Sequence, residues 1–253
     1  MNKDIPRFDH TAFADYLSSF LVIGHRGAAG LAPENTLPSF RKALDLGCRA
    51  IELDVHAVRD AEDTTQLMVI HDDTVQRTTN GKGLVSDHTF EQLTKLDAGD
   101  GNPIPRLTEV TALVAQHLAA AQPLVNIELK GRGTAAPTAR FLQAHPELAV
   151  LVSSFNHREL AAFRALDETT PIAPLFERAR ASMLDTASAL GASCVNVSQR
   201  MVKAALIEQC NDAGFPVLAY TVNQQHEAQR LKALGVGGVF TDRPDVLMAL
   251  GGD

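Results

Sequence analysis

The sequence predicts an α/β protein whose parallel strands close into a (βα)8 barrel, distorted by a small insertion after the second strand. Three observations carry that prediction. Short apolar runs alternate with amphipathic stretches along the chain, a rhythm that calls for parallel strands joined by helices. The strong runs number eight from Leu21 onward, and 253 residues match the ~250 typical of this architecture. No G-x-G-x-x-G follows the first strand, which disfavours the open dinucleotide-binding sheet.

The elements follow in order after an N-terminal arm, residues 1–20. Phe20-Leu21-Val22-Ile23 reads as a buried strand ending in the tight Gly24-His25-Arg26-Gly27. Asn35 or Thr36 can cap a helix over Leu37–Leu46, and Gly47 can end it in the left-handed conformation. The second strand, Ala50–Val55, alternates apolar residues with acids. Later strands are expected at Leu124–Leu129, Val150–Ser153, Ile172–Phe176, Ser193–Val197, Val217–Thr221 and Gly238–Thr241. The helices between them are expected at Leu107–Ala121, Thr138–Ala144, Arg158–Leu166, Arg178–Leu190, Met201–Ala213 and Gln225–Leu234. Gly191, Gly214 and Gly235 each fall just past a helix and just before a strand, and Ser198 and Asn223 sit at helix starts.

One apolar run breaks the count. Leu67–His71 follows Val55 too closely for a helical crossover, which needs about a dozen residues. The second strand therefore overshoots the rim, turns near Asp60–Thr64 and returns antiparallel, bringing His71 back to the mouth. Residues 72–105 are turn-rich and hold few large apolar residues, so they read as an insertion on one barrel domain spanning 1–253.

Composition narrows the function. A formal net charge of −7 and no Lys/Arg-rich run argue against nucleic acid as a partner. No segment is long and apolar enough to span a bilayer. The first twenty residues lack the basic start and apolar core of a signal peptide, so the expectation is a cytoplasmic protein. Cys48, Cys194 and Cys210 are odd in number and set among apolar residues, which reads as buried free thiols. The helix faces show no seam for a partner subunit, and oligomeric state is left open.

Chemistry in such barrels gathers at the C-terminal ends of the strands. Glu52 and Asp54 lie two apart and aim two carboxylates at one spot. A solvated edge strand is the competing reading. Glu128 and Lys130 at the end of another strand repeat the spacing; alone they could be a surface pair. Three carboxylates without a cysteine suit a hard dication, Mg²⁺, Ca²⁺ or Mn²⁺. Three carboxylates and a dication leave one negative charge. Arg26 and Lys130 add two positives, leaving room for a monoanion such as a phosphodiester. His25 and His71 are the acid and base candidates, since imidazole titrates near neutrality. One histidine at a strand end is usually structural; two converging on a carboxylate cluster are not. The other seven histidines read as surface or structural, with His56, beside the acidic strand, the least secure of them. No G-x-S-x-G, H-x-H or H-E-x-x-H occurs, so a protein nucleophile and zinc chemistry lack support.

Together these residues resemble the glycerophosphodiester phosphodiesterase family. The matching pieces are His25-Arg26-Gly27, Ala32-Pro33-Glu34-Asn35-Thr36, Glu52-Leu53-Asp54-Val55, His71-Asp72-Asp73 with Arg77-Thr78-Thr79-Asn80-Gly81, Asn126-Ile127-Glu128-Leu129-Lys130, Ser153-Ser154-Phe155, Tyr220-Thr221-Val222-Asn223 and Thr241-Asp242-Arg243-Pro244. Each is weak singly, but they run in family order from about Leu21 to the end of the chain. The resemblance implies a distorted TIM barrel and hydrolysis of glycerophosphodiesters to glycerol 3-phosphate and an alcohol. It implies one divalent cation on Glu52, Asp54 and Glu128, the histidine pair His25 and His71, and a phosphate held by Arg26 and Lys130. Phe155 and Tyr220 are expected to line the substrate pocket. Two departures stand out. Tyr220 replaces a tryptophan common before Thr-Val-Asn, and the turn between Asp54 and His71 is long and acidic. A lysophospholipase D-type reaction on larger diesters would need a wide apolar mouth around Phe155, Phe176 and Tyr220. A non-catalytic phosphodiester binder would be expected to lack a histidine, and both are present.

Overall fold

The structure, a computed structural model, describes residues 7–117 and 122–251. Nine strands form one sheet: β1 (Leu21–Gly24), β2 (Ala50–Arg59), β3 (Thr65–Val69), β4 (Leu124–Leu129), β5 (Val150–Ser154), β6 (Ile172–Phe176), β7 (Val195–Ser198), β8 (Val217–Tyr220) and β9 (Gly238–Thr241). All but β3 run parallel in the order β1-β9-β8-β7-β6-β5-β4-β2, and a β1–β2 pairing closes the ring. This is the eight-stranded TIM barrel the apolar rhythm demands. The helices around it are α1 (His10–Tyr16), α2 (Leu37–Asp45), α3 (Phe90–Leu93), α4 (Leu107–Gln116), α5 (Ala135–Ala144), α6 (His157–Arg164), α7 (Met183–Ala189), α8 (Ala204–Asp212), α9 (Gln225–Ala233) and α10 (Pro244–Leu247).

The two-residue period of each strand sorts its side chains. On β2, Ile51, Leu53 and Val55 face outward into the core between strands and helices, where Phe40 of α2 and Phe163 of α6 also pack. Inward-facing residues near the strand starts form a second core from Leu21, Ile23, Ala50, Leu124, Leu151 and Leu218. Phe13 of α1 belongs to this inner core and is 2% exposed. The N-terminal arm thus contains a helix that its scattered apolar residues did not announce, capped by Asp9, which accepts from Thr11 N and Ala12 N at 3.0 Å.

The doubled-back hairpin is present. β2 pairs with β4 over Ala50–Val55, then with antiparallel β3 from Val55↔Val69 to Arg59↔Thr65. Asp60 builds the turn, its side chain accepting from Glu62 N and Thr64 N. Ile70 N donates to Asp54 O at 3.1 Å, which fixes the next residue, His71, beside the end of the barrel strand.

The insertion packs against the hairpin. It supplies a compact apolar cluster, Val75, Val85, Leu93, Ala98 and Ile104, packed on Val58, Met68 and Ile70 of the hairpin. The hairpin is its second wall, so the few apolar residues of 72–105 suffice. Helix ends also shift. α4 is described to Gln116, and residues 118–121 of the expected helix lie outside the described residues. Arg178 to Ser182 precede α7 instead of belonging to it. α9 starts one residue later, with Gln224 at its N-cap position and no side-chain cap bond, and Asn223 is engaged elsewhere. Cys48, Cys194 and Cys210 are free and buried. Among the described residues no helix is long and apolar enough to cross a membrane.

Candidate active site

The register of the staves assembles the acids. Asp54 on β2 pairs directly with Glu128 on β4, and Glu52 with Asn126. Parallel neighbours about 4.8 Å apart with inward side chains put the carboxylates together. Glu52, Asp54 and Glu128 each offer an oxygen within 4.8 Å of the others. All three are buried, at 2%, 0% and 7% exposure. Burial, with the charges of Asp54 and Glu128, drives the Glu52 carboxyl well above the usual carboxylate range. Burial and Asp54 likewise raise Glu128, while Lys130 opposes the shift. Glu52 Oε1 and Asp54 Oδ1 are buried without a hydrogen-bond partner. Orphaned, mutually repelling carboxylate oxygens with no sulfur nearby fit a hard divalent cation.

The turn after β1 delivers the next groups. Gly27 has φ +84°, and a Cβ there would lie 2.5 Å from Ser39, so only glycine lets the turn lie against α2. Ser39 Oγ donates to Arg26 O and accepts from Ala28 N, locking the turn at both ends. Arg26 and Asn35 both adopt left-handed backbone, at φ 51° and 57°, a conformation held by its surroundings. In return, Arg26 N donates to Glu52 Oε2 at 2.9 Å, and Asn35 Nδ2 donates to Asp54 Oδ2 at 2.9 Å. The Arg26 guanidinium lies 3.5 Å from Asp54 and 2.7 Å from Glu34. Lys130 Nζ donates to Glu128 at 2.9 Å and lies 3.8 Å from Asp54. Burial works against both cations, but the neighbouring acids outweigh it and keep them charged.

The histidines flank this cluster. His25 Nε2 lies 3.9 Å from Glu52, and His71 Nε2 lies 3.2 Å from Lys130 Nζ. Each ring has a carboxylate on its other nitrogen: His25 Nδ1 meets Asp242 Oδ1 at 2.6 Å, and His71 Nδ1 meets Asp72 Oδ1 at 2.6 Å. Burial lowers the His71 pKa, and the opposing charge of Asp54 does not reverse this. His25, Arg26, Glu52, His71, Glu128, Phe155 and Tyr220 line one cavity of ≈170 Å³. Asp54 is fully buried beside Glu52 and Glu128, and Lys130 contacts two lining residues, Glu128 and His71. Phe155 and Tyr220 meet edge to face at 5.6 Å. Phe176, by contrast, is 5% exposed, meets His157 edge-on and does not line this cavity.

A model of the glycerophosphoryl diester phosphodiesterase family matches residues 25–246. The chain belongs to the glycerophosphodiester phosphodiesterase family. It is 35% identical over 243 residues to a glycerophosphodiester phosphodiesterase of Caldanaerobacter subterraneus, covering 91% of this chain and 97% of that one. It is 35% identical over 246 residues to a glycerophosphodiester phosphodiesterase of Bacillus altitudinis, covering 88% and 95%. A phosphodiesterase from Oleispira antarctica, solved in complex with the product sn-glycerol-3-phosphate, superposes with a TM-score of 0.85 at 29% identity, covering 93% of this chain and 98% of that one. The chain is a phosphoric diester hydrolase.

The residues singled out in the sequence of this phosphodiesterase meet at one rim. Their supports were missed. Asp242 was visible at the end of the last strand, but its pairing with His25 spans 217 residues. Asn223 read as a helix cap; instead its Nδ2 donates to Asp242 Oδ2, and its Oδ1 accepts from Asp242 N. Arg77 of the insertion donates from Nη1 and Nη2 to Glu34 and from Nε and Nη2 to Asp72, tying the carboxylate that holds His71 to the turn that carries Arg26. His56 is a support. Its Nε2 faces His71 O at 3.3 Å, and its ring packs where any side chain at Gly131 would sit.

Proposed function

We propose that the protein hydrolyses glycerophosphodiesters to sn-glycerol 3-phosphate and an alcohol, using one divalent cation and the His25/His71 pair. The observation that carries the metal requirement is the pair of orphaned oxygens, Glu52 Oε1 and Asp54 Oδ1, buried beside a third carboxylate. Glu52, Asp54 and Glu128 are the residues that would hold the cation. A bound dication supplies charge stabilisation at a phosphoryl oxygen and lowers the pKa of a bound hydroxyl. Its all-oxygen donors suit Mg²⁺, Ca²⁺ or Mn²⁺.

The chain's own groups divide the remaining work. Arg26 and Lys130 neutralise the non-bridging phosphoryl oxygens. His71, which burial holds neutral at neutral pH, keeps its proton on Nδ1 toward Asp72 and leaves Nε2 to accept one. Lys130 turning from His71 to the phosphate frees that nitrogen. His25, anchored by Asp242, presents Nε2 to the cleft and hands a proton to the leaving alcohol. The cavity of ≈170 Å³ and the buried Phe176 favour a small glycerophosphodiester over a lysolipid.

The test is release of sn-glycerol 3-phosphate from glycerophosphocholine, with and without EDTA, followed by return of each metal. Activity unaffected by chelation would remove the cation from the reaction. Faster turnover of a lysolipid than of glycerophosphocholine would overturn the substrate reading.

A further inference from the structure

Beside the reaction cavity runs a second groove, sharing its Phe155 and Leu175 walls and continuing past Glu177 to Arg158, Arg178 and Arg180. The three arginines are exposed, and among the described residues none of their side chains has an ion-pair or hydrogen-bond partner. Of the other arginines on this face, Arg26 pairs with Glu34, Arg77 with Glu34 and Asp72, and Arg243 with Asp245, while Arg132 and Arg200 stand singly exposed just past β4 and β7. Arg178 and Arg180 lie on the loop between β6 and α7, and Arg158 is the second residue of α6. With Glu177 the groove carries a net charge of about +2 on a chain whose net charge is −7.

The charge of the reaction cavity is already accounted for. Three carboxylates, a dication, Arg26 and Lys130 sum to one positive charge, which the reacting phosphodiester cancels. The arginines next door therefore face a second anion. A quaternary ammonium is a poor candidate for this side, because the net positive charge of the groove repels it.

We infer that the groove formed by Arg158, Arg178 and Arg180 is a specificity subsite for the leaving alcohol, and that it selects alcohols bearing a further phosphate. This rests on the phosphodiesterase reading above and adds to it the class of alcohol. The reaction is unchanged: water adds to phosphorus, the bond from phosphorus to the alcohol oxygen breaks, and that oxygen takes the proton. What the arginines change is which alcohol is held in line, with a planar fork suited to phosphate oxygens.

The experiment compares sn-glycerol 3-phosphate release from glycerophosphoinositol 4-phosphate, glycerophosphoinositol and glycerophosphocholine by the metal-loaded enzyme. The first two differ only in one phosphate. The expected result is a kcat/KM about 10-fold higher for the phosphorylated member, shrinking as salt is raised from about 20 mM to about 300 mM. In the R158A/R178A/R180A variant that ratio falls to about one, and Lys at the three positions restores part of it. Equal kcat/KM for the inositol pair, a preference for the choline diester, or a ratio surviving in the triple alanine variant would overturn the inference. No release from any of the three would overturn the reaction itself and this inference with it, whereas release without discrimination overturns the subsite alone.

Discussion

The barrel has two interiors on the same eight staves, and they differ in what they leave unsatisfied. Below, Leu21, Ile23, Ala50, Leu124, Leu151 and Leu218 fill the space with apolar side chains. One inward position further along, the same strands present Glu52, Asn126, Ser153 and Tyr220. The lower layer follows the close packing of an organic solid. The upper layer holds five orphaned polar atoms, on Glu52, Asp54, Asn126, Asn196 and Tyr220. Each such group costs about 1–3 kcal/mol when left unpaired. The comparison teaches that one strand can carry stability at its start and binding capacity at its end. Changes to the two layers should therefore break different things.

The largest effects are expected at the histidines of the upper layer. His25→Ala and His71→Ala should each lower kcat by at least ~100-fold, the low end for acid–base catalysis, while thermal unfolding shifts little. A variant that keeps near-full turnover removes its histidine from the reaction. Next comes the lower layer. Leu151→Ala should cost about 2–5 kcal/mol in denaturant unfolding, through lost burial and the cavity left behind, with kcat nearly unchanged. An equal loss of turnover would mean that the two layers are not separable.

The acid cluster sharpens the contrast through pH. Burial and mutual repulsion raise Glu52 and Glu128 in the folded chain, Glu128 to about 7. A carboxyl raised on folding binds more protons in the native state, so it destabilises the fold as pH rises from the unfolded value to the folded one. Metal-free protein should thus lose stability between about pH 5 and about pH 7, on the order of 1–3 kcal/mol. Adding the dication should reverse the loss. Melting curves that are flat across this window in EDTA would show that the acids do not repel one another as their packing implies.

The same contrast explains what the sequence could reveal. The barrel was legible because alternation and helix-strand rhythm are local. So was the overshoot of β2, since the link to β3 is too short for a helix. The acids were legible because two-residue spacing fixes a face, and His71 because the hairpin leads to it. The supports were not. Asp242, Asn35 and Arg77 act through partners far off in sequence, and no periodicity encodes such pairings. Asn223 misled because a capping residue and a carboxylate clamp use the same side chain. The insertion's apolar cluster is completed by three hairpin residues, Val58, Met68 and Ile70, and no local pattern in 72–105 encodes that packing. α1 was missed because its seven residues carry only one fully buried anchor, Phe13.

The smallest predicted effect tests whether the supports matter to chemistry or only to order. Arg77 is about half exposed, so its ion pairs are partly screened and contribute little to stability. Its four hydrogen bonds nevertheless connect Asp72, which orients His71, to Glu34, which holds Arg26. Both ends of that bridge reach a group that the proposed reaction uses, His71 at one and Arg26 at the other. Arg77→Ala should therefore lower kcat by about 10-fold, as loss of an orienting partner commonly does, while KM and the unfolding midpoint move little. Arg77→Lys should restore only part, because an ammonium cannot reproduce the forked contact with two carboxylates. A rise in KM at constant kcat would instead place Arg77 in substrate binding. The His25–Asp242–Asn223 side shares no hydrogen bond with Arg77, so an Asn223→Ala change should add to Arg77→Ala without coupling when the two are combined. Strong coupling between them would show that the two histidines are held by one network rather than by two independent clamps.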